Sequence, residues 1–271
     1  MRRVDPASHP LLSIVIPAFN EEDSLRRGVL RQLADYLATQ EFSWEVLVVD
    51  DGSADATADI VESFAAENPS FRLLREKHRG KVDAVRAGIL AATGRYQLFM
   101  DMDLATSVEH IPEFLGELQR GADLAIASRA AKGAVTVGAP ASRFLLGKGF
   151  NYLVQALLLP GIQDTQCGFK AFRADVARGL FESLLVFEES AATTKGPRVT
   201  AFDVELLVLA ARRGYSISEM PVRWQYYKTR RVNPVKDAYR MFREVLHVWL
   251  NDRRGRYRLA ATTVTHSDRM A

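Results

Sequence analysis

The sequence predicts an α/β fold built on a mostly parallel sheet. Within residues 1–130, short runs of apolar and β-branched residues alternate with longer segments of helical periodicity. All but the first of these apolar runs end directly in polar or charged residues. This alternation is typical of parallel strands joined by helices, whose loops gather at one edge of the sheet. The length of 271 residues and the 48% hydrophobic content allow a large domain with a substantial core.

Five runs in this region have the composition of buried strands. They cover residues 11–16, 44–49, 71–74, 96–100 and 124–127. The segments between them predict four helices, one of about 18 residues after Glu22 and the others at 57–65, 82–92 and 108–118. Polar residues stand where two of these helices would begin. Asp55 or Thr57 is the candidate N-cap of the second helix, and Thr106 or Ser107 of the fourth.

The pattern is less regular after Arg129. Residues 130–140 are small and glycine-rich and predict a mobile surface loop, whereas residues 144–159 predict a strongly apolar helix. A polar loop at 164–170 leads into a further strand, residues 202–213 predict a helix, and residues 217–226 predict one or two edge strands. Residues 188–198 have the composition of a disordered segment or a lid. Since no linker interrupts the chain, we expect one domain over residues 1–225, followed by a C-terminal helix and tail over 226–271.

The C-terminal segment predicts a basic amphipathic helix. Between residues 235 and 250 the apolar residues recur at the spacing of one helix face, and Trp249 is among them. Basic residues surround that face: Lys228, Arg230, Arg231, Lys236, Arg240, Arg243, Arg253, Arg254, Arg256 and Arg258. Because such helices lie on membrane surfaces, we expect association with a membrane surface. The alternative is a helix packed on the core with an ordinary solvated face.

Composition excludes several classes of protein. A net charge of +3 and the lack of a recognition motif argue against nucleic acid as a partner. No apolar run approaches the roughly 18 residues of a membrane span, and no signal segment follows Met1. The single cysteine, Cys167, excludes an intramolecular disulfide, fits a reducing cytoplasm and is expected to be a buried packing residue. The glycine motifs of dinucleotide dehydrogenases, P-loop NTPases and G-x-S-x-G hydrolases are absent.

Two carboxylates, Asp101 and Asp103, follow the predicted strand 96–100 directly. At the carboxyl end of a buried strand they would enter the crevice in which open α/β sheets bind ligands. Such close carboxylates need a partner to stay ionised, and a divalent cation such as Mg²⁺ or Mn²⁺, shared with a substrate phosphate, is the usual one. The alternative is a strand end followed by a capped helix.

Other polar loop residues are expected at the same edge of the sheet: Pro17, Phe19, Asn20, Glu21, Asp50, Asp51, Lys81 and Arg129. The aromatic ring could stack on a base, the carboxylates could accept ribose or base hydrogen bonds, and the lysine could bind a diphosphate. The structural alternatives are a helix-start role for Lys81 and an ion pair for Arg129. Asp203 and Glu205 are candidate salt-bridge partners, and His78 and His110 are expected at the surface.

Seven motifs occur in the order PAFNEE, VVDDGSADAT, RGKVDAVRAG, MDMDLAT, ASR, DTQCGFKAF and FDVELL. Together they resemble the inverting family 2 glycosyltransferases of GT-A fold, and most closely the dolichyl- or polyprenyl-phosphate sugar synthases. DTQCGFK followed by FDVEL resembles the β-glucosyltransferase branch more than the mannosyl branch. The resemblance extends over residues 11–250. It implies a Rossmann-like, mostly parallel central sheet flanked by helices, with the amphipathic helix at the membrane interface.

The resemblance also implies a role for each matching residue. The nucleotide and donor would be held by Pro17, Phe19, Glu21, Asp50, Asp51, Lys81, Asp101 and Met102. Asp101 and Asp103 would bind the metal, Mg²⁺ or Mn²⁺. Arg129 and Arg143 would receive the acceptor phosphate. The residues implied in catalysis are Asp103, Asp164 and Gln166, the last two beside the reacting sugar.

The implied reaction transfers a hexose from a nucleotide sugar to dolichyl or polyprenyl phosphate at the cytoplasmic face of a membrane. UDP-glucose is the favoured donor, with GDP-mannose and UDP-N-acetylglucosamine as alternatives. A soluble transferase with a non-lipid acceptor is a further alternative. One departure concerns the metal, since mannosyl relatives often have glutamine where this chain has Ala105. We therefore expect water or substrate to complete the coordination.

Overall fold

The computed structural model describes residues 9–186, 200–227 and 234–258, with only the backbone for 141–146 and 234–237. In the described residues the strands are β1 (Leu12–Ala18), β2 (Trp44–Asp50), β3 (Phe71–Arg75), β4 (Tyr96–Met100), β5 (Leu124–Ser128), β6 (Val135–Val137), β7 (Phe169–Arg173), β8 (Ile217–Pro221) and β9 (Arg223–Gln225). The helices are α1 (Glu22–Arg26), α2 (Val29–Ala38), α3 (Thr57–Glu67), α4 (Lys81–Ala91), α5 (Ile111–Gln119), α6 (Ala141–Leu157), α7 (Ala174–Phe181), α8 (Phe202–Arg212) and α9 (Pro234–Arg253).

In the part of the chain that the structure describes, seven strands form the central sheet in the order β3-β2-β1-β4-β7-β5-β8. β1 pairs in parallel with β2 and β4, β2 with β3, and β5 with β8. The mostly parallel α/β sheet expected from the sequence is therefore confirmed. All five strands predicted within residues 1–130 are present, each within about two residues of its predicted bounds.

β7 is the antiparallel member of the sheet and lies between β4 and β5. Its first residue, Phe169, pairs with Met100, the last residue of β4. The chain thus enters β7 from the edge at which the parallel strands end. The loop that precedes β7, residues 164–168, consequently lies beside the end of β4, where Asp101 donates its backbone N–H to the Gly168 carbonyl at 3.2 Å.

The carboxyl ends of β1 and β2 are in register, because Ala18 pairs with Asp50. The loops that follow are bonded to each other. Asn20 N–H donates to Ser53 Oγ at 2.9 Å and Glu21 N–H donates to Thr57 Oγ1 at 2.7 Å. The first two polar loops of the sequence therefore form one connected wall at the edge of the sheet.

Two sequence predictions are wrong in detail. The single helix expected after Glu22 is broken into α1 and α2 at Gly28, whose φ of 82° is a left-handed conformation that interrupts helical hydrogen bonding. The loop predicted at 130–140 contains β6, which pairs in parallel with β9. The expectation of two edge strands within 217–226 is confirmed by β8 and β9. The predicted lid or disordered segment, residues 188–198, lies outside the described residues.

Buried side chains cover both faces of the central sheet, as the alternation of side chains along a strand requires. On one face Val15 and Phe99 pack with buried residues of α4, α7, α8 and α9. On the other face Ile14 and Leu98 pack with those of α2 and α5. The two helical layers fix the sheet, so the loops at its edge are carried by a rigid scaffold.

The apolar face of the C-terminal helix is divided between core and solvent. Val245 and Val248 are fully buried in the core with α8, whereas Tyr239 is 66% and Phe242 44% exposed. Packing on the core, the alternative drawn from the sequence, is therefore confirmed for part of α9, and association of the exposed part with a membrane surface stays a prediction. Within the described residues, no helix combines the length and apolarity needed to span a membrane.

Candidate active site

Asp101 and Asp103 lie at the carboxyl end of β4, as the sequence predicts. Between them and the next helix the chain turns through Leu104, which adopts a positive φ of 53°, and Ala105 N–H donates to Asp103 Oδ1 at 3.0 Å. Gly168 of the neighbouring loop approaches so closely that a Cβ at this position would overlap the Asp101 carboxylate. The site therefore requires glycine at position 168.

Lys81 is the first residue of α4, and its Nζ is 2.5 Å from Asp101 Oδ1. Burial lowers the pKa of Lys81, but the surrounding carboxylates of Asp101, Asp203 and Asp103 outweigh it and hold the pKa above its ordinary value. The lysine therefore stays positively charged in the site, where the start of α4 places it beside the carboxylate pair.

Burial, followed by the negative charges of Asp101 and Glu21, raises the pKa of Asp103 to about 6. A site that raises a carboxylate pKa in this way is one that favours an added cation. In the described part of the chain no cluster of three or more histidine, cysteine or acidic side chains could hold a metal. Two carboxylates nevertheless fit a Mg²⁺-type ion that takes its remaining ligands from water and substrate phosphates.

The residues expected to hold the nucleotide lie along β1 and β2. Pro17 is within β1, and the Phe19 ring is stacked on the His78 ring at 4.0 Å with an interplanar angle of 6°. Glu21 Oε2 accepts from Ser24 Oγ at 2.8 Å. Asp50 ends β2 and accepts from the Ser53 N–H at 3.2 Å. These four residues are brought together at one end of the sheet.

Two residues predicted to contact the nucleotide face the protein. Met102 is 2% exposed and packs in the hydrophobic core. Asp51 is 3% exposed and bonds to the loop that precedes Lys81. Asp50 is itself only 4% exposed, so the two aspartates differ in their partners and not in their burial. Asp50 accepts the N–H of Ser53 in its own loop, whereas Asp51 bonds to a loop that is distant in sequence, which the sequence could not show.

Arg129 and Asp164 form a two-pronged ion pair. Arg129 Nε lies 2.7 Å from Asp164 Oδ2, and its second nitrogen, Nη2, lies 2.9 Å from Oδ1. Burial would raise the pKa of Asp164, but the Arg129 guanidinium holds it below its ordinary value. The Trp224 ring lies 5.3 Å from the guanidinium carbon. Asp164 is 1% exposed, and both of its carboxylate oxygens accept hydrogen bonds from Arg129, which orients the arginine.

The other predicted residues of this region are placed differently. Gln166 donates its backbone N–H to Asp164 Oδ1 at 3.1 Å, while its side-chain Nε2 is buried with no hydrogen-bond partner in the described residues. Arg143 lies in the first turn of α6, where only the backbone is described. Cys167 is buried as expected, and burial raises the pKa of its thiol to about 11.

The family model for glycosyl transferase family 2 matches residues 13–181, a span that runs from β1 to the end of α7 and includes the carboxylate pair. The chain belongs to glycosyltransferase family 2. It is therefore an enzyme that transfers a sugar, and the fold expected for the family, a mostly parallel GT-A sheet flanked by helices, is confirmed.

Named relatives of this glycosyltransferase are similar over most of its length. The dolichyl-phosphate beta-glucosyltransferase of Dictyostelium discoideum is 32% identical over 90% of this chain and 75% of that protein. The enzyme of the same description from Drosophila melanogaster is 35% identical over 92% of this chain and 78% of its own. A crystal structure of glucosyl-3-phosphoglycerate synthase from Mycobacterium tuberculosis with Mn²⁺, UDP and glucosyl-3-phosphoglycerate has a TM-score of 0.59 and 20% identity, over 91% and 80% of the chains. This last likeness shows the fold.

A buried ion pair lies beneath the glycosyltransferase site. Lys170 of β7 is fully buried, and its Nζ is 2.5 Å from Asp203 Oδ1 and 2.7 Å from the Cys167 carbonyl oxygen. The expectation of a salt bridge for Asp203 is confirmed. Glu205 accepts the N–H groups of Leu185 and Val186. The role of Lys170 was missed, although a lysine inside an apolar strand is a signal that a buried partner exists.

The two histidines are only partly exposed, less than the surface position expected from the sequence. His78 bonds through Nδ1 to Asp51 Oδ2 at 2.8 Å, and its side chain is 15% exposed. His110 is 17% exposed, contacts Glu113 through Nδ1 and accepts the N–H of Arg223 at Nε2. Both rings are covered by chain segments that are distant in sequence, which is why residue spacing gave no sign of it.

Proposed function

We propose that this glycosyltransferase transfers glucose from UDP-glucose to dolichyl or polyprenyl phosphate, with inversion at the anomeric carbon. The observation that carries the proposal is the cluster of Lys81, Asp101 and Asp103 at the end of β4, at the same edge of the sheet as the Arg129 loop that follows β5. The named relatives support the sugar and the acceptor, because both are dolichyl-phosphate beta-glucosyltransferases and the match covers 75% and 78% of their lengths.

On the donor side, Phe19, Glu21 and Asp50 would bind the base and ribose. Phe19 offers an aromatic face for stacking, and the carboxylates accept hydrogen bonds from ribose or base. Lys81 would contact the diphosphate as a point charge. The metal, bound by Asp101 and Asp103, would supply positive charge to the diphosphate as it departs. Ala105 offers no further side-chain ligand, so water or substrate would complete the coordination.

On the acceptor side, Arg129 and Arg143 would bind the phosphate group of the lipid. Asp164 holds the Arg129 side chain in one orientation, which fits a role in presenting the guanidinium. The Gln166 amide, buried and unpartnered in the described residues, is suited to donate to a hydroxyl of the sugar between the two phosphates. This arrangement supports Asp164 as a positioning residue and Gln166 as a sugar contact.

The reaction needs no strong general base. The second pKa of a phosphate monoester is about 6, so the acceptor is largely dianionic at pH 7. Its oxygen attacks the anomeric carbon, the bond from that carbon to the β-phosphate oxygen breaks, and UDP leaves with the electron pair. The enzyme must bring two anions into line and stabilise the leaving group, which is the work of positioned cations.

A direct test is incubation of the protein with radiolabelled UDP-glucose, GDP-mannose or UDP-N-acetylglucosamine and a short polyprenyl phosphate, followed by organic extraction. We expect label from UDP-glucose in the organic phase. Label from GDP-mannose and none from UDP-glucose would overturn the assignment of UDP-glucose as the donor. Transfer to a water-soluble acceptor and none to the lipid would favour a soluble transferase.

We propose further that the enzyme works at the cytoplasmic surface of a membrane, where the phosphate head group of the acceptor lies. Tyr239 and Phe242 of α9 are exposed, as is Tyr152 of α6 at 75%. Arg253 and Arg254 are exposed at the end of α9. Aromatic rings with flanking arginines are typical of helices that lie on anionic membranes. The single buried thiol of Cys167 fits a reducing compartment.

Replacing Arg253 and Arg254 by glutamine should weaken binding to anionic vesicles. Each basic residue near an anionic surface contributes roughly 1 kcal/mol, and salt screens the attraction. In a sedimentation assay with phosphatidylserine vesicles, the wild-type protein should pellet at low salt and be partly released at high salt. The variant should pellet less at every salt concentration and retain activity on a short, water-soluble acceptor.

Arg31 and Arg120 provide a matched control, because both are exposed and lie on the other face of the sheet, Arg31 in α2 and Arg120 directly after α5. Changing them to glutamine removes the same charge and should leave vesicle binding unchanged. Equal losses for the two pairs would mean that net charge alone attracts the protein. Loss of activity on the water-soluble acceptor in the Arg253 and Arg254 variant would assign these arginines to the fold or the site.

A further inference from the structure

The Asp51 carboxylate makes all of its described hydrogen bonds to one short loop. Oδ1 accepts the N–H of Arg79 at 2.8 Å and of Gly80 at 3.1 Å. Oδ2 accepts the N–H of Gly80 at 2.9 Å and contacts His78 Nδ1 at 2.8 Å. Since the residue is 3% exposed, these bonds are shielded from water, and a buried ionised acceptor with several N–H donors forms strong hydrogen bonds.

The loop that Asp51 holds delivers two side chains to the candidate active site. Lys81 follows Gly80 directly, begins α4 and pairs with Asp101 at 2.5 Å. The His78 ring is stacked on Phe19. One carboxylate at the end of β2 thus connects the loop after β3 to residues beyond β1 and β4.

The backbone on both sides of this contact is closely fitted. A Cβ on Gly52 would lie 2.8 Å from the backbone nitrogen of His78, and Gly52 has a φ of 68°. Gly80 has a φ of 109°, a conformation that suits glycine. The two chain segments therefore approach each other in one arrangement, and the carboxylate of Asp51 is the group that bonds across the gap.

We infer that Asp51 is a positioning residue that acts through Lys81 and His78, and that it does not contact the nucleotide itself. By holding the N–H groups of Arg79 and Gly80, it sets where α4 begins and hence where the Lys81 ammonium group lies relative to Asp101. The effect on catalysis rests on the proposed function, in which Lys81 contacts the donor diphosphate. The effect on the position of the loop does not depend on the proposed function.

The test is Asp51→Asn, with UDP binding measured by calorimetry in the presence of Mn²⁺. The asparagine keeps one oxygen but places an amide N–H₂ against N–H donors, so the loop loses its fixed position. A misplacement of about 1 Å in a site can cost about 10²-fold in rate, and we expect a loss of that order in kcat with a clear rise in the Kd of UDP. Amide hydrogen exchange at residues 79–81 should accelerate.

Glu45→Gln is the matched control. Glu45 lies at the other end of the same strand, and its Oε1 accepts from Ser13 Oγ at 2.6 Å and Thr93 N–H at 2.8 Å. This variant tests the loss of a partly buried carboxylate far from the site. We expect it to change the thermal midpoint and to leave the Kd of UDP unchanged. A second variant, His78→Ala, keeps Asp51 and removes one bond and the stack, and should shift the Kd of UDP in the same direction by less.

A double-mutant cycle with Lys81→Met decides between acting through the lysine and touching the nucleotide. If Asp51 acts through Lys81 and His78, adding Asp51→Asn to Lys81→Met should raise the Kd of UDP by a clearly smaller factor than in the wild-type protein, and by no more than His78→Ala does in the same background. The same factor in both backgrounds would overturn the inference. If the wild-type protein binds no UDP, the proposed donor is wrong. The positioning role then fails if Asp51→Asn leaves hydrogen exchange at residues 79–81 unchanged, and stands if exchange accelerates.

Discussion

Asp103→Asn should reduce sugar transfer by about 10²–10³-fold or more while the protein stays folded, because it removes one of the two carboxylates that would bind the metal at the diphosphate. The pKa of Asp103 is raised in the folded protein to about 6, so folding disfavours its charged form at neutral pH. A neutral asparagine removes that cost. We therefore expect a thermal midpoint equal to or higher than that of the wild-type protein. Initial rates and calorimetric melting measure the two effects.

Asp175→Asn serves as the control, since Asp175 is 66% exposed and pairs with Arg173 on the surface. It should retain wild-type activity. Chelation provides an independent test. Excess EDTA should stop sugar transfer by the wild-type enzyme, and added Mg²⁺ or Mn²⁺ should restore the transfer. Full turnover in EDTA, or full turnover by Asp103→Asn, would show that the carboxylate pair has no metal-binding role.

Arg129→Lys and Arg143→Ala should impair use of the acceptor and leave donor binding nearly unchanged. Truncating a charged contact in a desolvated site costs about 2–5 kcal/mol. Lysine at position 129 keeps a charge beside the buried Asp164 carboxylate, which avoids an unpaired buried charge, but it cannot reproduce the two parallel bonds of the guanidinium. The KM for polyprenyl phosphate should rise, whereas the Kd of UDP measured by calorimetry should not.

Arg173→Lys is the control for this pair, because Arg173 forms an exposed ion pair with Asp123 away from the end of β4. It should leave both constants unchanged. The opposite result for Arg143→Ala or Arg129→Lys, weak donor binding with a normal acceptor KM, would mean that the donor and acceptor subsites are reversed. A fall in thermal midpoint for Arg129→Lys alone would assign that residue to stability of the Asp164 loop.

The strands of the first half were predictable because their sequences carry the signal locally. The β-branched runs of β1 and β2 are buried on both faces, and a polar residue follows within two positions of the end of each strand. Buried parallel strands have this composition because helices cover both sides of the sheet. The position of Asp101 and Asp103 at the end of β4 follows from the same pattern.

The antiparallel insertion of β7 could not be predicted in this way. Its sequence identifies a strand, but its direction depends on the edge from which the chain enters the sheet. That edge is set by α6 and by the loop that ends at Gly168, whose carbonyl accepts the Asp101 N–H. Strand direction in a sheet is a property of long-range connection, and local periodicity carries no information about it.

By itself the sequence determined the α/β class, the strands of the first half, the carboxylate pair and the set of polar loops at one edge of the sheet. Only the tertiary structure decided which of these side chains face a ligand and which face the protein. Asp51 bonds to a loop 28 residues away and Asp164 to an arginine 35 residues away. The tertiary structure likewise decided that Val245 and Val248 of α9 face the core while Tyr239 and Phe242 face solvent. Periodicity assigns a residue to a face of its own helix or strand, whereas its partner is fixed only when distant segments pack together.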